Sequence, residues 1–352
     1  MTDEDRIAEI EEELHTTKYN KATQFHIGKL KAKIARLKVQ TAKKGGGSKG
    51  LGYSIKKTGD ATIAIVGFPS VGKSTLLNQL TNAKSEVGAY EFTTLKVIPG
   101  VMRYNGATFQ LLDIPGLIKG ASEGKGRGKE VLAVIRSCDM ILLLVDANKP
   151  EQHGLMLDEL RAANLRLNQK EPDIRLKKRD RGGIVVTSTK KQKLPREVIL
   201  AILNEFKVTN AELMLRDKIT EEDLIDHLAR NRTYLPAVSI VNKSDLAKPK
   251  IPKALYISAK EGGGVSELRK IIFDKLEFIR IYMKPQGKPP DFDQPLIVKT
   301  GTTIDQVCDT IHRDLKKDFR YALLSGPSSK FEGQQVGLGH RLKDEDILTL
   351  VH

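Results

Sequence analysis

The chain has 352 residues, 39% hydrophobic and 29% charged, which suits two or three folded domains and excludes a disulfide-stapled mini-protein or a wholly disordered chain. The apolar run Met140 to Val145 stops at Asp146, and no other apolar run is longer, far short of the roughly 18–20 residues of a bilayer span, so no membrane partner is expected. A formal charge of +15 points to an anionic partner, while the acidic start Met1-Thr2-Asp3-Glu4-Asp5 and only two cysteines, Cys138 and Cys308, set the expectation of a cytoplasmic, reducing location.

Ile7, Ile10 and Leu14, then Ile27, Leu30, Ile34 and Leu37, recur at helical spacing across a polar break at residues 16–20. This predicts an N-terminal helical hairpin over residues 1–45, and the Gly-rich stretch that follows opens a linker over 46–58. Between Lys18 and Lys57 lie twelve basic residues and no acid; between Arg175 and Arg196 lie nine against one, Asp180. These two runs are the candidate nucleic-acid contacts, with a solvated surface as the alternative use of each.

Residues 59–170 and 236–284 alternate apolar strand-like runs (61–68, 97–104, 108–113, 140–147, 237–241 and 254–257) with helical patterns, the signature of a mainly parallel α/β sheet. Asn105-Gly106 predicts a type I′ hairpin and hence one antiparallel pair. Residues 171–235 interrupt the alternation as an inserted subdomain, in which Thr220 caps a helix opening with Glu221-Glu222-Asp223. Val265 to Met283 reads as one long helix, and the proline-rich stretch 284–290 as a linker. Residues 291–352 read as a compact α+β module: strand 295–299, helix 304–315, and strands 321–324 and 347–351. There, core packing is the expected use of Tyr321 and Phe331, with RNA-base stacking as the alternative. The seven histidines show no metal-ligand spacing.

The chemistry is concentrated at a few strand ends. The strand 61–66 runs into Gly67-Phe68-Pro69-Ser70-Val71-Gly72-Lys73-Ser74-Thr75, followed by a helical pattern. This is a phosphate loop in its required strand–loop–helix context: glycines let backbone N–H groups cradle phosphate, Lys73 reaches the β- and γ-phosphates, and Ser74 places a hydroxyl on Mg²⁺. Asn242-Lys243-Ser244-Asp245 follows another strand. The Asp245 carboxylate can accept from guanine N1–H and the exocyclic amine, donors that adenine lacks, so the nucleotide pair expected is GTP and GDP. Asn242 ties this loop to the phosphate loop, Lys243 lies along the base, and Ser258-Ala259-Lys260 offers a backbone N–H to guanine O6.

Asp113-Ile114-Pro115-Gly116 places Asp113 on Mg²⁺ through a water and the Gly116 N–H at the γ-phosphate. Phe92-Thr93-Thr94 lies between this turn and the phosphate loop; Thr94 is the expected second Mg²⁺ ligand and Thr93 its competitor. Lys73, Thr94 and Gly116 are thus the candidate catalytic groups. The glycine-rich stretch 120–128 reads as a switch segment, with a surface loop as the alternative.

On these motifs the whole chain resembles the developmentally regulated GTP-binding proteins, in the Obg-like branch of translation-factor-class GTPases. The resemblance implies a helix-turn-helix N-terminus, a P-loop GTPase domain split by a small α/β insertion of ribosomal-protein-like fold, and a C-terminal TGS domain with a ubiquitin-like barrel. It also implies action on the ribosome or another RNA in translation, and a dedicated stabilising protein partner; a monomer is the default oligomeric state. Ras-like enzymes keep a water-orienting glutamine where this chain has Leu117, so slow or stimulated hydrolysis is expected. Some relatives with an apolar residue there use K⁺, held by a phosphate-loop asparagine; this chain has Ser70 instead. Leu117 also sustains an alternative function, an RNA- or protein-binding scaffold with nucleotide as a structural ligand.

Overall fold

The computed structural model describes residues 3–18, 20, 23–44, 57–81, 98–114, 128–312 and 315–351, and the structural statements below concern these. The described parts of residues 1–53 and 164–234 form one compact unit, and those of 54–163 and 235–352 another.

Helices α1 (Asp3–Thr16) and α2 (Gln24–Lys44) form the expected hairpin. They pack through Ile10, Leu30, Ile34 and Leu37, the apolar stripe of the sequence pattern. Four cations of the first basic run have acidic partners. Lys31 faces Glu221 and Glu222 at 3.9 and 3.8 Å, Arg36 pairs with Glu205 at 3.0 Å, and Lys38 and Lys57 pair with Glu11 and Asp139, each at 2.8 Å. These four cations hold neighbouring elements together, because acids distant in sequence fold against them.

The next elements are β1 (Ala61–Gly67), α3 (Lys73–Leu80), β2 (Ile98–Tyr104), β3 (Ala107–Asp113), α4 (Gly128–Ser137), β4 (Met140–Asp146) and α5 (Gln152–Ala162). Every residue of β1 and β4 is buried, as parallel strands covered on both faces require. Asn105 and Gly106 take φ of 48° and 79°, the type I′ turn, and join β2 and β3 as an antiparallel pair.

The insertion contributes β5 (Leu165–Leu167), β6 (Ile174–Lys178), β7 (Ile184–Ser188), α6 (Arg196–Glu205), β8 (Ala211–Leu215), α7 (Glu221–Ala229) and β9 (Thr233–Leu235). Strand β8 lies between β6, antiparallel, and β7, parallel, and β5 pairs with β9 where the chain leaves and re-enters. The Thr220–Asp223 capping box opens α7 as expected. Ala32 and Ala35 of α2 share a core with Val198, Ile202, Leu213 and Leu224, so the N-terminal hairpin and the insertion are one packed body. Small residues on α2 permit this approach: a Cβ at Gly28 would lie 3.0 Å from Val198 Cγ1. Within this body Asp226 accepts from Arg166 Nε at 2.6 Å and Arg232 Nε at 2.5 Å.

Strands β10 (Ala237–Asn242) and β11 (Leu255–Tyr256) and helix α8 (Val265–Lys275) complete the α/β layer. Its order is β11-β10-β4-β1-β3-β2, parallel except for β2. The loops after β1, β3, β4 and β10 therefore leave from one edge, where open α/β sheets bind ligands.

The chain continues as β12 (Phe278–Met283), β13 (Leu296–Lys299), α9 (Ile304–Ile311), α10 (Leu315–Asp318), β14 (Tyr321–Ser325), β15 (Gln334–Val336) and β16 (Asp346–Val351). They form a mixed sheet, β13-β12-β16-β14-β15, over a core that includes Ile279, Ile281, Val307 and Leu348. The long helix expected over Val265–Met283 is corrected: α8 ends at Lys275 and Glu277 turns at φ 56°. Ile279 and Ile281 then alternate into the C-terminal core, so this sheet begins ahead of the expected boundary at 291. Apolar residues at every position but Arg280 masked the period of two. The expected helix 304–315 likewise breaks at His312, where φ is −163°. Phe331 is 64% exposed, not packed in the core, because it lies in the loop between β14 and β15.

Candidate nucleotide-binding site

The site grows from the C-terminal edge of the α/β sheet. Strand β1 delivers the loop 67–72, and α3 starts at Lys73 with Gly72 at φ 94° as its N-cap and no side-chain cap. No side chain among the described residues caps its first N–H groups, and the helix dipole favours an anion there. Two glycines are sterically required. A Cβ at Gly67 would come within 2.6 Å of the Leu144 carbonyl, and one at Gly72 within 2.4 Å of Asn242 Nδ2.

Lys73 Nζ curls back to donate to the carbonyls of Gly67 and Phe68 at 3.1 and 3.0 Å. Burial pulls its pKa below the ordinary lysine value, with Asp113 opposing. Ser74 Oγ donates to Asp113 Oδ2 at 2.7 Å. The parallel register of Ile65 with Asp113 brings the end of β3 beside the phosphate loop, and the Ile114 N–H donates to the Ile65 carbonyl at 3.2 Å. A hydroxyl and a carboxylate so close form a hard-oxygen pair suited to Mg²⁺, which takes few protein ligands and completes its shell with phosphate and water.

Asn242 is buried and bridges two loops: its Nδ2 donates to the Val71 carbonyl at 2.9 Å, and its Oδ1 accepts from the Ala259 N–H at 2.9 Å. Lys243, at φ 62°, donates through Nζ to the Ser70 carbonyl at 3.2 Å. The Ser244 N–H donates to the Ile257 carbonyl at 3.0 Å, which fastens the loops after β10 and β11 together. Asp245 and Lys260 are exposed at the rim. Ser258 is buried, and its Oγ has no hydrogen-bond partner among the described residues.

The structure thus brings together the residues of 67–75, Asp113, Ile114, Asn242, Lys243, Asp245, Ser258, Ala259 and Lys260. Phe92, Thr93, Thr94, Pro115, Gly116, Leu117 and the stretch 120–127 lie outside the described residues. Sequence reasoning missed Asp146, which accepts from Lys243 Nζ at 2.5 Å. Its signal was available: an acid closing an apolar strand whose neighbours both end in nucleotide motifs. Among the described residues no helix is long and apolar enough to cross a membrane.

Three family models match residues 62–352 in turn: 50S ribosome-binding GTPase at residues 62–190, the C-terminal region of that domain at 181–278, and the TGS domain at 279–352. An uncharacterized GTP-binding protein of Methanocaldococcus jannaschii is 51% identical, with 99% of this chain and 92% of that protein covered. Developmentally-regulated GTP-binding protein 1 of Xenopus laevis is 45% identical, with 98% of each covered. Ribosome-interacting GTPase 1 of Saccharomyces cerevisiae is 43% identical, with 99% and 98% covered. On these matches along its full length, with a TGS domain at its C-terminal end, the chain belongs to the family of developmentally regulated GTP-binding proteins.

Proposed function

We propose that the chain hydrolyses GTP to GDP and phosphate and that the bound nucleotide switches its association with the ribosome or another large RNA. The convergence of Lys73, the Ser74–Asp113 pair and Asn242 on one sheet edge carries the nucleotide half. Lys73 exchanges its two carbonyl partners for β- and γ-phosphate oxygens, and the open N–H groups of α3 bind the same charge. Ser74 and Asp113, with Thr94, would hold Mg²⁺, which when bound offsets phosphate charge. Gly116 donates its N–H at the γ-phosphate in this reading. Asp245 selects guanine by accepting from its two donors. Leu117 can neither donate nor accept, so no side chain there orients the attacking water and unassisted turnover is slow.

The RNA half is supported by the second basic run. All nine of its cations, from Arg175 to Arg196, are exposed on and around the β6-β8-β7 sheet. The name of the yeast relative and the description of the matched GTPase family point to the same partner. The test is multiple-turnover GTP hydrolysis in sodium and in potassium buffer, with and without ribosomes, alongside co-sedimentation in GTP analogue and GDP. Ribosome-stimulated turnover and nucleotide-dependent, salt-sensitive sedimentation support the reading. A flat, slow rate with sedimentation indifferent to nucleotide would favour the scaffold instead.

A further inference from the structure

Asp146 closes β4 and is a Cα partner of Asn242 in the parallel register with β10. It is 7% exposed. Its Oδ2 accepts from Lys243 Nζ at 2.5 Å, and its Oδ1 accepts from the backbone N–H and side-chain amide of Asn148 at 2.9 and 3.2 Å. Lys243 Nζ simultaneously reaches the Ser70 carbonyl at 3.2 Å. The lysine therefore spans from the base-recognition loop to the phosphate loop, and the carboxylate pins its far end.

A lysine stem has large rotamer freedom. Without Asp146, Lys243 would retain one long hydrogen bond to Ser70, and its stem would have to be ordered again whenever a base packs along it. Ordering a group before binding removes that cost from the affinity. We infer that Asp146 is a positioning residue for guanine-nucleotide affinity, acting through Lys243 to pre-organise the base pocket and tie it to the phosphate loop. Burial disfavours the Asp146 carboxylate, but the Lys243 ammonium and the Asn148 N–H groups outweigh it, so its pKa lies below the ordinary aspartate value. Asp146 is thus a carboxylate at neutral pH, 2.5 Å from Lys243 Nζ. This inference rests on the nucleotide reading above.

The experiment measures binding and dissociation of fluorescent mant-GDP by the full chain in Mg²⁺ for wild type, Asp146→Ala, Asp146→Asn, Lys243→Ala and the Asp146→Ala/Lys243→Ala double variant. Asp146→Ala weakens binding by about tenfold, mainly through faster dissociation. Asp146→Asn, which keeps the size and one acceptor oxygen, falls between it and wild type. The double variant binds within about twofold of Lys243→Ala alone, because one residue acts through the other. Losses that multiply in the double variant would overturn the inference, as would wild-type affinity in Asp146→Ala with an unchanged melting temperature. Should Asp146→Ala fail to fold, the same cycle is read with Asp146→Asn. A wild-type chain that binds no mant-GDP sinks the nucleotide reading itself, a distinguishable result.

Discussion

Ser74 Oγ donates to Asp113 Oδ2 at 2.7 Å across 39 residues of sequence. One residue opens α3 and the other ends β3, and the parallel β1–β3 register makes them neighbours. In the proposed reading, a nucleotide-bound cation at this sheet edge would replace their mutual hydrogen bond. Chelating Mg²⁺ is expected to weaken wild-type GDP binding by about tenfold or more, and Ser74→Ala to bind more weakly in Mg²⁺ with little further loss on chelation. Titration of mant-GDP with and without chelator checks this; a variant as sensitive to chelation as wild type would remove Ser74 from the metal site.

Asp245 is exposed at the rim of the proposed base site, carried by a loop that Ser244 fastens to the Ile257 carbonyl. Asp245→Asn replaces an acceptor-only group with an amide that cannot satisfy both guanine donors through two acceptor oxygens. Competition of GTP and ATP against mant-GDP is expected to show the GTP preference falling by about tenfold or more. An unchanged preference would move base selection elsewhere.

Asp226 is 5% exposed and serves two guanidiniums, Arg166 and Arg232. Asp226→Ala deprives both of their shared carboxylate, and removing one partner of a buried ion pair costs about 3–5 kcal/mol. Urea unfolding should show a loss of this size. A change below about 1 kcal/mol would mean that water reaches the cluster.

His227, on the same helix, is held below the ordinary histidine pKa by burial first and by Arg230 second, with Glu171 opposing. The folded chain therefore binds this proton less readily than the unfolded chain. Stability contributed by the neutral ring is present above about pH 6.5 and is lost as pH falls below it. His227→Gln should lose less melting temperature than wild type between about pH 7 and 5.5. His153, held low by burial alone in the other unit, adds a loss of the same sign that remains in both proteins. Parallel pH profiles would exclude His227.

The sheet, its I′ hairpin and the phosphate loop were legible because each rests on local chemistry. Uninterrupted apolar strands, the positive φ required of Asn105 and Gly106, and glycines whose added Cβ would come within 3 Å of neighbouring atoms leave direct marks in the chain. The rest depends on partners remote in sequence. Lys31 and Arg36 read as part of a candidate nucleic-acid contact or solvated surface, and their pairing with Glu221, Glu222 and Glu205 comes only with the fold. Phe278–Met283 read as helix because its strand partners, β13 and β16, come later in the chain. Asp146 acquires a role only when β10 lies beside β4 and brings Lys243 to it.

On the free face of the insertion sheet, Lys177, Glu212 and Val185 are in cross-strand register, and Arg175, Met214 and Thr187 form the next row. Val185 and Met214 are exposed among these cations, so polyanion and apolar contacts are available on one surface. Lys177→Glu with Arg181→Glu should weaken ribosome co-sedimentation and flatten its dependence on salt, by roughly one unit of log–log slope for each phosphate no longer neutralised. Lys31→Ala, whose ammonium faces Glu221 and Glu222, should leave the slope unchanged. If the Lys31 variant flattens the slope and the sheet variants do not, the RNA-binding face belongs to α2 rather than to the insertion.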